Sequence, residues 1–139
     1  LTRTFFDIVH NTMADRLLLV MANLDGNLIG GALNFIGLDT LYGRNWGATK
    51  HIQNLHFEAC YYQAIDFAIS HKLRCVEAGA QGLHKVQRGY LPITTYSAHW
   101  IQHHEFRTAI ARFLRAETDG LTDEQNQIAL LSPFKNSGQ

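Results

Sequence analysis

The sequence offers four candidate proton acceptors, which are Glu58, Glu77, His56 and His84. Glu58 lies one turn into the strongest helical pattern of the chain, where a solvated helix face is the alternative to a catalytic role. Glu77 ends a predicted buried strand, and a carboxylate in that position is costly unless a cation pairs with it. Lys85 or Arg88 could supply the cation. Glu77 is therefore either part of an ion pair or a base or substrate anchor.

A glycine-containing loop with basic residues follows Glu77. It reads Gly79-Ala80-Gln81-Gly82 and precedes His84, Lys85 and Arg88. Such a loop can turn its backbone N–H groups toward an anion, with the nearby cations assisting. Gln81, His84, Lys85 and Arg88 are thus candidate substrate ligands, and an ordinary surface loop is the alternative.

Large side chains also occupy the predicted strand from Thr40 to Ala48. Period-two alternation places Tyr42, Arg44 and Trp46 on one face, where they could stack on or hydrogen-bond a sugar or peptide. Packing of this face on the last helices is the alternative. We expect the strand and the following helix to splay apart and open a cleft lined by these three residues and His56. Tyr62, on the same helix, is a further candidate substrate ligand.

Metal and covalent chemistry are not indicated. The histidines in question are His51, His56, His99, His103 and His104. Their spacing forms no HExxH motif, and no cysteine joins them in a zinc pattern, so we predict no metal. Ser97 lacks a GxSxG context and Cys60 falls inside a helix, which argues against a covalent nucleophile. Cys60 and Cys75 are expected to be reduced and buried.

Periodicity and turn residues predict a chain of mixed α and β elements. Asp25-Gly26-Asn27 is a hairpin turn between the first two strands, and Asn54 is a plausible N-cap. The predicted helices cover 2–14, 54–72 and 105–117, with a short one from Thr122, and the predicted strands cover 17–21, 28–37, 40–48, 74–78 and 93–101.

Composition narrows the function classes. Lys plus Arg and Asp plus Glu are equal at 12 each, so no broad positive field favours DNA binding. No apolar run reaches the length of a membrane span and no signal peptide is visible, so we expect a cytoplasmic protein. We predict one domain over 1–131 and a loosely ordered tail over 132–139. Because the chain opens on Leu1 next to a helical pattern, we expect it to be the carboxy-terminal part of a longer protein.

Several stretches, in this order, carry a family resemblance: Leu41–Ala48, Leu55–Ile65, Glu77–Lys85 with Arg88–Pro92, and Ser97–Trp100. Together they resemble the FemAB-like family of bacterial predicted N-acyltransferases, which is associated with peptidoglycan biosynthesis or recognition. The resemblance covers roughly residues 16–117. It implies the α/β GNAT fold of acyl-CoA N-acyltransferases, in which a mixed, mostly antiparallel sheet is flanked by helices. Gly89-Tyr90 matches the Gly-aromatic pair of that fold.

The resemblance also implies a donor site between the central strand and the next helix. Its expected residues are Gly47, Ala48, Thr49 and Lys50, and the donor would be acyl-CoA or, as in related enzymes, aminoacyl-tRNA. The implied reaction joins an acyl or aminoacyl group to an amine of a peptidoglycan-related or amino-acid-like acceptor, a small molecule or cell-wall precursor, with Glu58 or Glu77 as the base. The loop has fewer glycines and cations than the usual phosphate loop, which favours the alternative of a non-catalytic recognition module. A structural or oligomerising domain is the third alternative.

Overall fold

A computed structural model describes residues 1–79 and 82–134 of the chain. Its backbone divides into two compact units, Leu1–Gln81 and Gly82–Gln139. A single domain over 1–131 stays a prediction. Of the predicted tail, 135–139 lies outside the described residues.

The first unit opens with helix α1, Arg3–Met13, and a 3₁₀ turn, Ala14–Arg16. Thr2 caps α1, because its hydroxyl oxygen accepts a hydrogen bond from the Phe5 N–H at 3.3 Å. This confirms the helix predicted at the start of the chain.

A four-stranded sheet in the order β1-β2-β3-β4 forms the frame of this unit. The strands are β1 Leu17–Leu24, β2 Asn27–Ile36, β3 Thr40–Ala48 and β4 Cys75–Glu77. The first three pair antiparallel and β4 pairs parallel to β3. Asp25 and Gly26 both have positive φ, at 51° and 82°, as a tight hairpin turn between β1 and β2 requires. The predicted mixed fold with a mostly antiparallel sheet is confirmed.

A helical stretch over 55–70, called the central helix below, contacts β1 to β4. It consists of α2 Leu55–Phe57, a π-helical turn Glu58–Tyr62 and α3 Gln63–Ser70. Ala59, Tyr61, Ala64 and Ala68 are buried in it, and Leu41 of β3 is fully buried. Small helical residues therefore let the helix pack closely on the sheet.

The central helix begins where it was predicted, directly after Asn54. Asn54 has a left-handed backbone, with φ 64°, and its side chain makes no capping hydrogen bond. Its carbonyl oxygen instead accepts from the Glu58 N–H at 3.0 Å. Asn54 is thus at the predicted N-cap position, but its side chain does not cap the helix, because a side-chain cap normally needs an extended backbone at that residue.

The second unit contains α4 Leu83–Val86 and the long helix α5 His104–Ala129. The predicted strand over 93–101 is wrong: that segment has no regular secondary structure, and every residue from 91 to 100 is exposed. Alternation alone supplies neither a partner strand nor a buried face. The prediction of two helices was also wrong, since α5 runs through Gly120. A glycine inside a helix costs only about 1 kcal/mol relative to alanine, too little to end it.

Candidate functional site

A β-bulge at Arg44 changes which residues share a face of β3. Leu33 pairs with Asn45 and Asn34 pairs with Gly43, which leaves Arg44 as the extra residue. Bulges of this kind redirect side chains and are common beside active sites.

The bulge separates residues that were predicted to lie together. Tyr42 pairs with Phe35 and Trp46 pairs with Ala32. Phe35 and Ala32 are three residues apart in one strand, so they point to opposite faces, and so do their partners. The prediction that Tyr42, Arg44 and Trp46 share one face was wrong, because strict alternation ignores an inserted residue.

A cavity of about 110 Å³, called the first pocket, lies between the sheet and the central helix. Its lining comes from two strands, the central helix and the end of β4; the members are Ala32, Leu33, Asn34, Gly43, Arg44, Asn45, Trp46, His56, Cys60, Tyr61 and Ala78. Three of the four residues predicted to line a cleft here are therefore present. Tyr42 is not among them, as the bulge requires.

The guanidinium of Arg44 is held by Glu77 and Tyr42, on the face of the sheet opposite Trp46. Its Nη1 lies 3.8 Å from the Glu77 Oε1, and its guanidinium carbon lies 5.3 Å from the centre of the Tyr42 ring. Tyr42 and Glu77 are themselves paired across β3 and β4. The sequence predicted a cation for Glu77 but named Lys85 or Arg88, which belong to the second unit. Predicting the ion pair between Glu77 and Arg44 would have required the register in which β3 and β4 pair.

The π-helical turn brings aromatic side chains together at the first pocket. The rings of His56 and Tyr61 are 5.4 Å apart and nearly perpendicular. Tyr61 follows His56 by five positions, and a π-turn places residues at this spacing on one side of the helix more readily than an α-helix does. Trp46 of β3 also packs on His56, with its ring centre 5.6 Å from that of His56.

Two other polar groups line the first pocket. Asn34 is 1% exposed, and its amide nitrogen donates to the carbonyl oxygens of Leu18 and Ala32 at 3.3 and 3.4 Å. Burial raises the pKa of the Cys60 thiol from 9.0 to about 11, so this thiol is protonated at neutral pH. The expectation of a buried cysteine pair was wrong: Cys60 is half-buried, Cys75 is exposed, and both thiols are free.

A second pocket of about 410 Å³ lies at the loop between β3 and the central helix. It is lined by Trp46, Ala48, Thr49, Lys50, His51, Ile52, Asn54, Leu55, His56 and Phe57. Three of the four residues expected to bind a donor are in this lining, and Gly47 is exposed beside it. The Thr49 N–H donates to the Ile29 carbonyl oxygen at 2.8 Å, which ties the loop to β2. Trp46 and His56 line both pockets.

The other predicted site residues lie elsewhere. Glu58 is exposed, lines neither pocket and accepts a hydrogen bond from the Gln63 side chain at 2.7 Å. Tyr62 is 44% exposed on the central helix. Burial lowers the pKa of Lys85, and Arg88 donates to the His84 carbonyl oxygen at 2.6 Å within the second unit. Gln81 lies outside the described residues, so the expected anion loop stays a prediction.

Sequence patterns missed eight of the eleven lining residues of the first pocket, among them Asn34, Cys60 and Tyr61. Cys60 follows His56 by four residues, and this helical spacing was a usable signal. Tyr61 shares a side with His56 through the π-turn, which no pattern in the sequence announces. Among residues 1–79 and 82–134, no group of three His, Cys, Asp or Glu side chains could hold a metal ion.

Comparison with known proteins supplies the family. The sequence model of the FemAB-like family, described by its role in peptidoglycan biosynthesis or recognition, matches residues 1–136. The chain belongs to the FemAB-like family. Neither curated proteins nor solved structures gave a match. The observed α/β arrangement is consistent with a GNAT-like fold.

Membership of the FemAB-like family associates the chain with peptidoglycan-related aminoacyl transfer or recognition and suggests a cell-wall precursor as its substrate. In the part of the chain that the structure describes, no helix combines the length and apolar character needed to cross a membrane.

Proposed function

We propose that this chain transfers an acyl or aminoacyl group from a donor in the second pocket to an amine of a peptidoglycan-related or amino-acid-like acceptor in the first pocket. One observation carries the proposal: Trp46 and His56 line both pockets, so two ligands would meet at this pair of rings. Holding two reactants side by side is a major source of rate enhancement in group transfer. The family's association with peptidoglycan supports a bacterial setting, and we place the reaction in the cytoplasm as part of the proposal.

The second pocket suits part of an acyl-CoA or the aminoacyl end of a transfer RNA. Its volume of about 410 Å³ is in the usual range of small-molecule sites. Lys50 supplies a positive charge for a phosphate, and the tie between Thr49 and Ile29 keeps the loop in place. Thr49 and Ala48 add a small polar and a small apolar surface.

The proposed step is direct transfer. The acceptor nitrogen attacks the donor carbonyl carbon, a new C–N bond forms, and the bond from that carbon to the donor sulfur or oxygen breaks. The nitrogen loses a proton to a base, which returns it to the leaving group. His56 is the residue placed for this role, because it lines both pockets and imidazole exchanges protons near neutral pH. Cys60 stays a neutral thiol and forms no acyl-enzyme.

Glu58 and Glu77 remain proposals as the base, with less support from the geometry. Glu58 is exposed and bonded to Gln63, and Glu77 pairs with Arg44. Neither carboxylate lines the first or the second pocket. This observation favours a second candidate function, in which the chain recognises a cell-wall peptide or sugar without catalysis.

A transfer assay separates the two functions. Acetyl-CoA, longer acyl-CoAs and aminoacyl-tRNA would each be incubated with the chain and amino-acid or cell-wall amines, and products would be followed by mass spectrometry. We expect His56→Gln to lower the rate by about a hundred- to ten-thousand-fold, the usual contribution of a general base. Glu58→Gln tests the rival base and should lower the rate far less than His56→Gln, since Glu58 lines neither pocket.

Circular dichroism would confirm that both variants are folded. If cell-wall fragments bind but no donor gives a product, the chain recognises these fragments without catalysing transfer. If Glu58→Gln lowers the transfer rate strongly and His56→Gln lowers it little, Glu58 rather than His56 is the base.

A further inference from the structure

We infer that Asn34 binds the substrate amine: its side-chain oxygen accepts a hydrogen bond from an N–H of that amine in the first pocket. This inference rests on the proposed function and adds the residue that recognises the nucleophile. The ligand class that it selects is a primary amine, which carries N–H groups, over a quaternary ammonium ion, which carries none.

The carboxamide of Asn34 has a fixed orientation. Its Nδ2 donates to the carbonyl oxygens of Leu18 and Ala32, at 3.3 and 3.4 Å. The reversed orientation would place Oδ1 against these two oxygens, so that acceptors would face each other with no proton between them. The two bonds therefore direct Nδ2 to these carbonyl groups and leave Oδ1 on the other side of the carboxamide.

The Asn34 oxygen lies on the face of the sheet that carries Trp46. Asn34 and Ala32 are two residues apart in β2, so their side chains share a face, and Ala32 pairs with Trp46. Gly43 is the partner of Asn34 in β3, and a methyl group added to Gly43 would lie 3.5 Å from Oδ1. Asn34, Gly43 and Trp46 all line the first pocket, which places Oδ1 at its wall.

The same oxygen has unused hydrogen-bonding capacity. Among residues 1–79 and 82–134, no N–H or O–H group donates to it, although Asn34 is only 1% exposed. Nor does Asn34 contribute an unpaired polar atom that protein encloses completely, so Oδ1 is open to the cavity. A buried oxygen without a donor is unfavourable, and a ligand N–H would therefore be stabilised there.

An uncharged hydrogen-bond acceptor suits an amine that must react. A carboxylate beside the amine would stabilise its protonated, unreactive form, whereas a neutral carboxamide favours that form far less. Among the described residues that line the first pocket, none is an aspartate or a glutamate. His56, the proposed base, lines the same cavity, so an amine bound by Asn34 shares the cavity with the group that takes its proton.

The aromatic rings of the first pocket provide a rival mode of recognition. Trp46, His56 and Tyr61 line the cavity, and aromatic faces attract a cation without needing its N–H groups. Butylammonium and tetramethylammonium separate the two modes because they are isomers of equal charge. The first carries three N–H groups and the second has none, so hydrogen bonding favours the first and aromatic contact favours the second.

Side-chain NMR signals of the chain report on the site. In a ¹⁵N-labelled sample, the loss of a signal in Asn34→Leu identifies the Asn34 carboxamide, and Trp100→Phe leaves the indole N–H of Trp46. Butylamine and tetramethylammonium chloride would be titrated separately at pH 7.5, where an alkylamine is protonated. Butylamine should shift both signals in a saturable way, with an affinity about tenfold or more above that of tetramethylammonium, as for hydrogen bonds to charged groups.

Three variants test the role of the oxygen. Asn34→Leu removes it at similar side-chain volume, so the Trp46 signal should then report similar affinities for the two cations. Asn27→Leu is the matched control and should keep the preference, since Asn27 belongs to the same strand but is exposed and lines neither the first nor the second pocket. Gly43→Ala keeps Asn34 and covers Oδ1 with a methyl group in ordinary contact, which should weaken butylamine binding about tenfold.

Equal or tighter binding of tetramethylammonium, or a preference for butylamine that persists in folded Asn34→Leu, would overturn the inference. The absence of a saturable shift with butylamine would do the same, and so would undiminished butylamine binding in Gly43→Ala, which decides the matter if Asn34→Leu does not fold. Failure of the proposed function is distinguishable. Transfer with an unchanged KM for the amine in Asn34→Leu removes this inference alone, while Asn34-dependent butylamine binding without transfer from any donor removes catalysis alone.

Discussion

The two cysteines give a direct chemical test of the first pocket. Cys60 lines the pocket and its pKa is raised from 9.0 to about 11 by burial, whereas Cys75 is exposed. Thiolate is the reactive form, and below both values each pKa unit lowers its population tenfold. At pH 7.5 Cys60 should therefore carry about a hundredfold less thiolate than an ordinary thiol, and burial should slow its alkylation further.

Iodoacetamide labelling followed by peptide mass spectrometry measures both rates in one sample. We expect Cys75 to react at least about a hundredfold faster than Cys60 at pH 7.5. The Cys60 rate should rise about tenfold per pH unit up to pH 9.5, because its thiolate population is still far from complete there. A Cys75→Ser variant isolates the slow site. Similar rates at both cysteines, or a plateau of the Cys60 rate below pH 9, would refute the burial and the raised pKa of Cys60 in the first pocket.

Two further predictions concern the frame that positions the site. Leu41→Ala should lower the free energy of unfolding by about 3 kcal/mol, because Leu41 is fully buried. Leu38→Ala is the control and should have little effect, since Leu38 is 95% exposed. Urea denaturation measures both changes, and equal losses of stability would contradict the packing described for Leu41. Gly26→Ala should cost about 1 kcal/mol because φ at Gly26 is +82° in open space. Gly47→Ala, also in open space but without positive φ, is its control and should be nearly neutral by the same measurement.

Local signals in the sequence predicted much of the frame. The apolar spacing of the central helix and the Asp25-Gly26 turn depend on residues close in the chain, so periodicity and turn chemistry were sufficient. The same local rules were wrong for 93–101, because a strand also needs a partner and a buried face. They ended the last helix too early because Gly120 is a weak helix breaker.

The site depends on features that no local pattern contains. The bulge at Arg44 follows from the pairing of β3 with β2, and it moves Tyr42 away from Trp46. The π-turn brings Tyr61 to His56. The pairing of Glu77 with Arg44 depends on a parallel register between strands that are far apart in the chain. Candidate residues could thus be chosen from the sequence, but their partners could not.

The central claim is that two ligands meet at Trp46 and His56. A residue-resolved map of amide chemical-shift changes tests it most directly, with an acyl-CoA added first and an amino-acid amine second. We expect the donor to perturb the amides of Trp46 and of 48–57, and the amine to perturb those of 32–34, 43–46, His56 and 60–61, so that the two sets share Trp46 and His56. Changes confined to the second unit, or both ligands competing for one set of residues, would contradict it.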